Sequence, residues 1–335
     1  LINLAISSNN HRQIMAGSSS STVTDLISTV HHDIIEAHIL TRLDGPTLAS
    51  VSCASSHLHE LASNDILWYN ICRSTWPSVS RAISDASRSF FSDVYSVLDT
   101  AASVSDLDRP FPELVSAVDI HYRGKLILSR VVKTETTTAW YQSSPLRIDM
   151  VDPKDTVETP IKRGRRTEDT CRDLEQHLTL SWVVIDPIGK RAANLSSHRP
   201  VSVQRNWISG EIEAKFATVV ESASPDETVE CGITVVTCGE EEMHVKEVSL
   251  KVEKMEGTHL NGKDSLVILR SVIEGKRGNG RRRETESKKR HDEFMEKKRE
   301  RKEKKMKTDL VFDILTVAFG ILGFGSFVGF CLWSR

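Results

Sequence analysis

Residues 39–55 read ILTRLDGPTLASVSCAS, with apolar side chains at helical spacing on both sides of a break. Asp44-Gly45-Pro46 ends one helix and starts the next, because proline suits the first helical position, where its missing N–H costs nothing. Upstream, Asp33 is a candidate N-cap; downstream, Leu48 and Val51 continue the apolar face. The stretch therefore predicts short helices in close succession.

The same helical pattern extends over residues 25–77. Ser55 or Ser56 is placed to start a third helix, and a fourth ends at Trp76-Pro77. About fifty residues is small for a self-sufficient hydrophobic core, so part of this apolar surface is expected to need a partner.

The run from residue 33 to 78, DIIEAHILTRLDGPTLASVSCASSHLHELASNDILWYNICRSTWPS, resembles an F-box. It is most similar to a plant F-box group that shares the central run, a following LW pair and a C-x-x-x-W-P ending. Val30-His31-His32 stands where that group has a leucine and a proline. The resemblance covers residues 30–77 strongly and much of the following chain more loosely.

The resemblance implies the substrate-recognition subunit of an SCF-type ubiquitin ligase, which does no bond chemistry itself. The F-box would bind a Skp-type adaptor and, through it, a cullin, while the domain that follows the F-box would bind a target protein. Twelve apolar residues are the predicted adaptor contacts: Val30, Ile34, Ile35, Ile39, Leu40, Leu43, Pro46, Leu48, Val51, Leu58, Leu67 and Trp68.

Residues 78–112 are predicted to be a Ser-rich helical bridge. After it, between residues 113 and 274, the sequence consists of segments that alternate apolar and polar residues and are rich in β-branched side chains. Tyr122-Arg123-Gly124 is a hairpin signal, and Lys154 to Arg172 is expected to be a polar loop. Seven or more strands without long helices between them predict an antiparallel sandwich that recognises the target. The predicted strands are Leu114 to His121, Lys125 to Val132, Leu178 to Ile185, Arg191 onward, Glu211 to Val220, Val229 to Thr237, Met243 to Val252 and Ser265 to Ile273.

The chain has a net charge of −2, but its positive and negative charges are unevenly distributed along the sequence. Residues 276–307 hold 16 basic and 7 acidic residues, so the remainder carries a net charge of −11. Residues 275–309 are predicted to be a flexible basic hinge followed by a solvated helix, stabilised by pairs of glutamate and basic residues four apart. Residues 1–24 are expected to be disordered, and residues 1–14 are a candidate translated leader ahead of Met15.

Ile314 to Trp333 is a run of twenty residues without a charge, long enough to cross the hydrocarbon core of a bilayer. With the basic run before it, the sequence of residues 310–333 predicts a C-terminal anchor. This anchor would hold the preceding folded region, here called the head, in the cytosol. Residues 275–309, here called the neck, are basic and therefore also suit anionic lipid headgroups. The endoplasmic reticulum is the favoured membrane, and the nucleus is the alternative. Gly325-x-x-x-Gly329 also permits an anchor-mediated dimer.

The fold class is thus α+β: a helical F-box, an antiparallel β-sandwich-like domain and a charged helix leading into one transmembrane helix. No cofactor, metal or catalytic residue is predicted, because common nucleophile, phosphate-binding and zinc motifs are absent from the sequence. The basic runs lack interleaved aromatics, so a nucleic-acid partner is not expected. Two other functions stay open: a membrane-anchored binding protein for carbohydrate, lipid or protein outside a ligase, and an enzyme whose site is assembled from distant residues.

Overall fold

The computed structural model describes residues 30–83, 87–96, 98–100, 111–164, 166–221, 228–278 and 283–333. The predicted disordered segment, residues 1–24, lies outside them. The chain divides into two compact units, Leu1–Leu67 and Trp68–Arg335.

The first unit contains the predicted short helices. Its elements are α1 (residues 32–42, formed by the turns His32–Ile34, Ile35–Ile39 and Leu40–Arg42), α2 (Gly45–Val51), α3 (Ser56–Ala62) and the start of α4 (Asp65–Thr75). The Asp44 carboxylate caps α2 by accepting from the Thr47 N–H at 3.0 Å, and Ser55 caps α3. The N-cap of α1 is His31 rather than the predicted Asp33.

The bridge supplies two helices to the second unit, α5 (Val79–Ala82) and α6 (Arg88–Tyr95). Phe90, Phe91 and Val94 of α6 are buried, as the amphipathic pattern of the bridge predicts. The Asp119 carboxylate accepts from the Ser78 N–H at 3.0 Å and from the Ser78 hydroxyl at 2.6 Å, all of them buried. These bonds join the bridge to the sheet. They also compensate the carboxylate for the loss of its hydration, which would otherwise cost several kcal/mol.

The second unit holds two main antiparallel sheets. Its strands are β1 (Leu98–Thr100), β2 (Glu113–Tyr122), β3 (Lys125–Glu135), β4 (Arg147–Asp149), β5 (Val157–Lys162), β6 (Leu178–Asp186), β7 (Arg191–Asn194), β8 (Ser202–Arg205), β9 (Ile212–Glu221), β10 (Thr228–Cys238), β11 (Glu242–Lys254) and β12 (Lys276–Arg277). Four strands pair in the order β3-β2-β6-β7, and six form the other sheet, β4-β11-β10-β9-β8 with β5 also on β11. β1 pairs with β12.

One hydrophobic core joins the two sheets. Alternate residues of β2 and β6, such as Leu114, Val118 and Trp182, share it with Ile233 of β10 and Leu250 of β11. Period-two alternation sends these side chains to one face of each strand. The predicted hairpin is confirmed, with Arg123 (φ 49°) and Gly124 (φ 75°) forming a two-residue turn between β2 and β3.

Three helices in this unit were not predicted. They are α7 (Ala139–Ser143), α8 (Thr167–His177) and α9 (Gly262–Glu274). The predicted strand Ser265 to Ile273 is therefore wrong. Asn261 caps α9 by accepting from the Asp264 N–H at 2.8 Å, and apolar residues three and four apart face the core. The predicted polar loop is also wrong, since it holds β5 and the start of α8.

The neck differs from the predicted hinge and solvated helix. The Arg277 side chain is 10% exposed and donates to the carbonyl oxygens of Val272 and Ala192, both at 2.7 Å. The last helix, α10 (Arg283–Trp333), docks its first turns on the six-stranded sheet, burying His291 and Phe294. A single phenylalanine in a charged run gives no periodic signal, so the sequence pattern concealed this contact.

Candidate interaction surface

Burial separates the twelve predicted contact residues into three groups. Val30, Ile34 and Ile39 are exposed, by 37%, 50% and 48%. Leu43, Pro46, Val51 and Leu58 are half-buried. Ile35, Leu40, Leu48, Leu67 and Trp68 are buried, each 5% exposed or less.

The five buried residues pack in the interior, so the structure presents little of their side-chain surface to a partner. Residues 35–39 form a π turn, in which the Leu40 N–H donates to the Ile35 carbonyl. This five-residue spacing brings Leu40 into line with Ile35 and turns Ile39 outward. Ordinary helical spacing predicted one broad apolar face containing all three.

Ile66, which is not among the predicted contacts, is 68% exposed in the first turn of α4. The Asn64 side chain donates to the Glu36 carboxylate and so ties the start of α4 to α1. A signal for Ile66 existed, because Ile66, Leu67 and Trp68 are consecutive and one helical face cannot bury all three. Val30, Ile34, Ile39 and Ile66 are the exposed large aliphatic side chains in the described part of the first unit, and we call them together the isoleucine surface.

Among the described residues, one group could bring three metal-ligating atoms within 4.8 Å of one another: His31, His32 and Asp33. All three side chains are exposed, and the histidine nitrogens lie 3.3 Å and 2.9 Å from the Asp33 carboxylate. Surface ion pairs give the same arrangement, so the group does not by itself indicate a metal centre.

The buried cysteines are poor candidates for nucleophiles. Burial raises the pKa of the Cys72 thiol to about 12, and it does the same for Cys231, where the neighbouring Glu230 adds to the effect. Since the thiolate is the reactive form, both groups are protonated and inert near neutral pH.

Comparison with known proteins agrees with this geometry. A family model described as F-box-like matches residues 35–74. Probable F-box protein At2g36090 of Arabidopsis thaliana is 80% identical over 316 residues, which cover 94% of this chain and 96% of the relative. F-box protein At2g27310 of the same plant is 41% identical, over 92% of this chain and 96% of its own. F-box protein At3g44326 is 39% identical, over 87% and 88%. No solved structure matches.

Proposed function

The chain belongs to the F-box protein family, and we propose that it is the substrate-recognition subunit of an SCF-type ubiquitin ligase. In this role the first unit binds a Skp-type adaptor, which connects it to a cullin, and the β-rich unit binds the target protein. Such a subunit accelerates ubiquitin transfer by holding the target lysine near the thioester at high effective concentration. It needs no catalytic residue of its own.

The isoleucine surface carries the proposal. Four large aliphatic side chains, 37% to 68% exposed, lie in a unit of fewer than seventy residues whose helix ends are capped by its own side chains. Exposed apolar side chains concentrated in so small a unit mark a protein interaction surface. Among the predicted contacts, Leu43, Pro46, Val51 and Leu58 remain half-buried candidates for its margin.

Adaptor binding tests the proposal. Full-length protein carrying Ile39→Asp and Ile66→Asp would place two charges at the contact, and it should bind a purified Skp-type adaptor more weakly by about 2 kcal/mol or more, roughly 30-fold. Both positions are exposed, so the fold should be kept. Ile188→Asp, at a residue 56% exposed in the turn after β6, is the matched control.

Undiminished adaptor binding by the double variant, with unchanged circular dichroism, would contradict the assignment of this surface. A wild-type protein that binds no adaptor would favour the other function, a membrane-tethered binding protein acting outside a ligase.

Membrane attachment is the second part of the proposal. One helix among the described residues is long and apolar enough to cross a bilayer by length and composition, and it lies within α10. Its large side chains face solvent, including Ile314 (59% exposed), Phe319 (71%) and Phe324 (71%). A bilayer would cover this apolar surface, and the basic neck before it would keep the head in the cytosol and contact anionic lipid. We favour the endoplasmic reticulum.

A further inference from the structure

The turn between β8 and β9 presents two large apolar side chains to solvent. Trp207 is 88% exposed and Ile208 is 76% exposed. The Asn206 side chain accepts from the Ile208 N–H at 2.9 Å, and its backbone N–H donates to the Glu211 carbonyl at 2.8 Å. These bonds close the turn, so the two side chains are held outward by an ordered backbone. We call Trp207 and Ile208 the prong.

One arginine connects the prong to a neighbouring cleft. The Arg163 guanidinium donates to the Gly210 carbonyl at 3.3 Å, at the base of the prong, and to the Gly239 carbonyl at 2.9 Å. The residues on either side of it in the chain, Lys162 and Gly164, line a cleft of about 460 Å³. The prong and the cleft therefore lie side by side at one end of the six-stranded sheet.

The cleft offers cationic side chains to a ligand. Lys125 and Lys162 line it, and within the described part of the chain neither has an ion-pair partner, although Glu242 stands opposite Lys162 in the β5–β11 pairing. The acidic side chains of the cleft are engaged. Asp173 accepts from Arg123 at 2.7 Å and from the Tyr122 hydroxyl. Asp169 lies 3.9 Å from the Arg172 guanidinium.

The position of this end favours a protein partner over the bilayer. β9 begins beside the prong at Ile212 and runs ten residues, about 33 Å, to Glu221 at the other end of the sheet. That other end is where α10 leaves the sheet, through the Lys298–Glu253 pair at 2.8 Å and the Arg301–Glu256 pair at 3.2 Å. The prong thus lies at the end of the sheet opposite to the departure of the anchor helix.

We propose that the prong and the cleft together form the docking surface for the target protein. They take a segment in which an aliphatic or aromatic side chain lies next to clustered negative charge, from acidic or phosphorylated residues. The apolar residue packs on Trp207, whose rigid ring gives much contact area at little entropic cost, and Lys125 and Lys162 hold the anionic group. This inference rests on the proposed receptor function and gives it a ligand chemistry.

Selection of random 12-residue displayed peptides on the full-length protein in detergent micelles tests it. The selected peptides should be enriched in an aromatic or aliphatic residue near two or more acidic residues. Synthetic copies should bind Trp207→Ser/Ile208→Ser and Lys125→Glu/Lys162→Glu at least about tenfold more weakly by fluorescence anisotropy. Copies with phosphoserine for glutamate distinguish the two sources of charge. Trp140→Ser, at another tryptophan, 77% exposed, is the matched control.

The outcomes separate this inference from the receptor function. Peptides without acidic enrichment, or peptides that bind both double variants as tightly as wild type, would overturn the docking surface even if the adaptor still binds. Peptide binding that needs the prong in a protein without adaptor binding would overturn the ligase role and keep the surface.

A bilayer contact would give a third result. In proteoliposomes, brominated lipid quenches only those tryptophans that contact the bilayer. The amount of emission lost to quenching should therefore be the same in wild type and in Trp207→Phe. A smaller loss in Trp207→Phe would place the prong in the membrane and overturn the inference.

Discussion

The Nε2 atom of His291 lies 3.3 Å from the Oε1 atom of Glu230, and both side chains are buried between the first turns of α10 and the six-stranded sheet. Glu230 alternates along β10 with the core residues Cys231 and Ile233, so it faces away from the hydrophobic core. Lys215 of β9 supplies its second partner at 2.8 Å. The docked helix thus covers this carboxylate and places the His291 imidazole within ion-pairing distance of it, beside the ammonium group of Lys215.

Glu230→Gln should destabilise the second unit by about 3 kcal/mol at pH 7, since breaking a buried charge pair leaves the remaining partners without compensation. Burial alone raises the pKa of Glu230, but the contacts with His291 and Lys215 outweigh it and hold the pKa below the ordinary 4.5. Its stabilisation is therefore full above pH 4.5 and is lost as the pH falls through the lowered value.

Urea melts of wild type and Glu230→Gln at pH 7 and pH 4 measure this, and the difference between the two proteins should be smaller at pH 4. Glu256→Gln is the control, because its pair with Arg301 is half exposed and should contribute less than about 1 kcal/mol. Equal stability of wild type and Glu230→Gln at pH 7 would show that the helix docks without this carboxylate.

Gly262→Ala should destabilise the protein by about 1–3 kcal/mol through overpacking. A Cβ at residue 262 would lie 2.0 Å from the Tyr141 carbonyl oxygen, so α7 and the start of α9 would have to separate. Gly232→Ala is the matched control, because its Cβ would meet only the Lys215 side chain at 3.5 Å. Thermal melts compare the two, and equal melting temperatures would refute the steric argument.

A fragment of residues 65–307 should melt cooperatively, whereas the sequence-derived domain 113–274 should not. The shorter fragment lacks Ser78, which bonds to the buried Asp119, and it lacks the helix that covers Glu230. Circular dichroism and amide exchange measure both. A cooperative transition in residues 113–274, at the temperature of the longer fragment, would contradict the role given to the bridge and the neck.

The full-length protein should resist carbonate extraction from microsomes, and a chain truncated after Lys307 should be soluble. A reporter fused to the amino end should be digested by protease added outside sealed microsomes, because the basic neck keeps the head on that side. Asp313 then lies at the cytosolic edge, where its carboxylate reaches water. Full-length protein in the carbonate supernatant would mean that the apolar part of α10 packs against a protein partner.

The sequence predicted the strands whose own residues carry a strong β signal. β11 alternates between apolar and polar residues over much of its length, whereas β2, β6 and β10 are rich in β-branched residues and are buried over most of both faces. It failed at α9, where β-branched residues in a helix resemble a buried strand until the Asn261 cap is recognised. It also failed wherever position depends on contacts distant in the chain. The π turn that separates Ile39 from Leu40 has no periodic signal, and neither does the burial of Glu230, which needs Lys215 and His291 together.

The candidate surfaces follow the same rule. The sequence pattern identifies apolar residues of the helical unit, but which of them face outward depends on packing, so the pattern did not separate the exposed Ile66 from the buried Leu40. A test that substitutes Leu40 with Asp would unfold the unit and report nothing on the adaptor. The prong gave no sequence signal, because the identity of a residue as tryptophan does not show whether its side chain is exposed or buried.

In the proposed membrane-bound state, the uninterrupted course of α10 would fix the orientation of the β-rich unit about the helix axis. Ile314 lies thirteen positions after Arg301, the last residue that pairs with the β-rich unit, and this rise along a continuous helix is about 20 Å. A helix turns by about 100° per residue. Inserting four residues would raise the β-rich unit by about 6 Å and nearly preserve its heading, whereas inserting two would swing it to the opposite side of the helix axis. If the proposed anchor and target binding hold, the length of this segment would therefore determine which way the target faces above the bilayer.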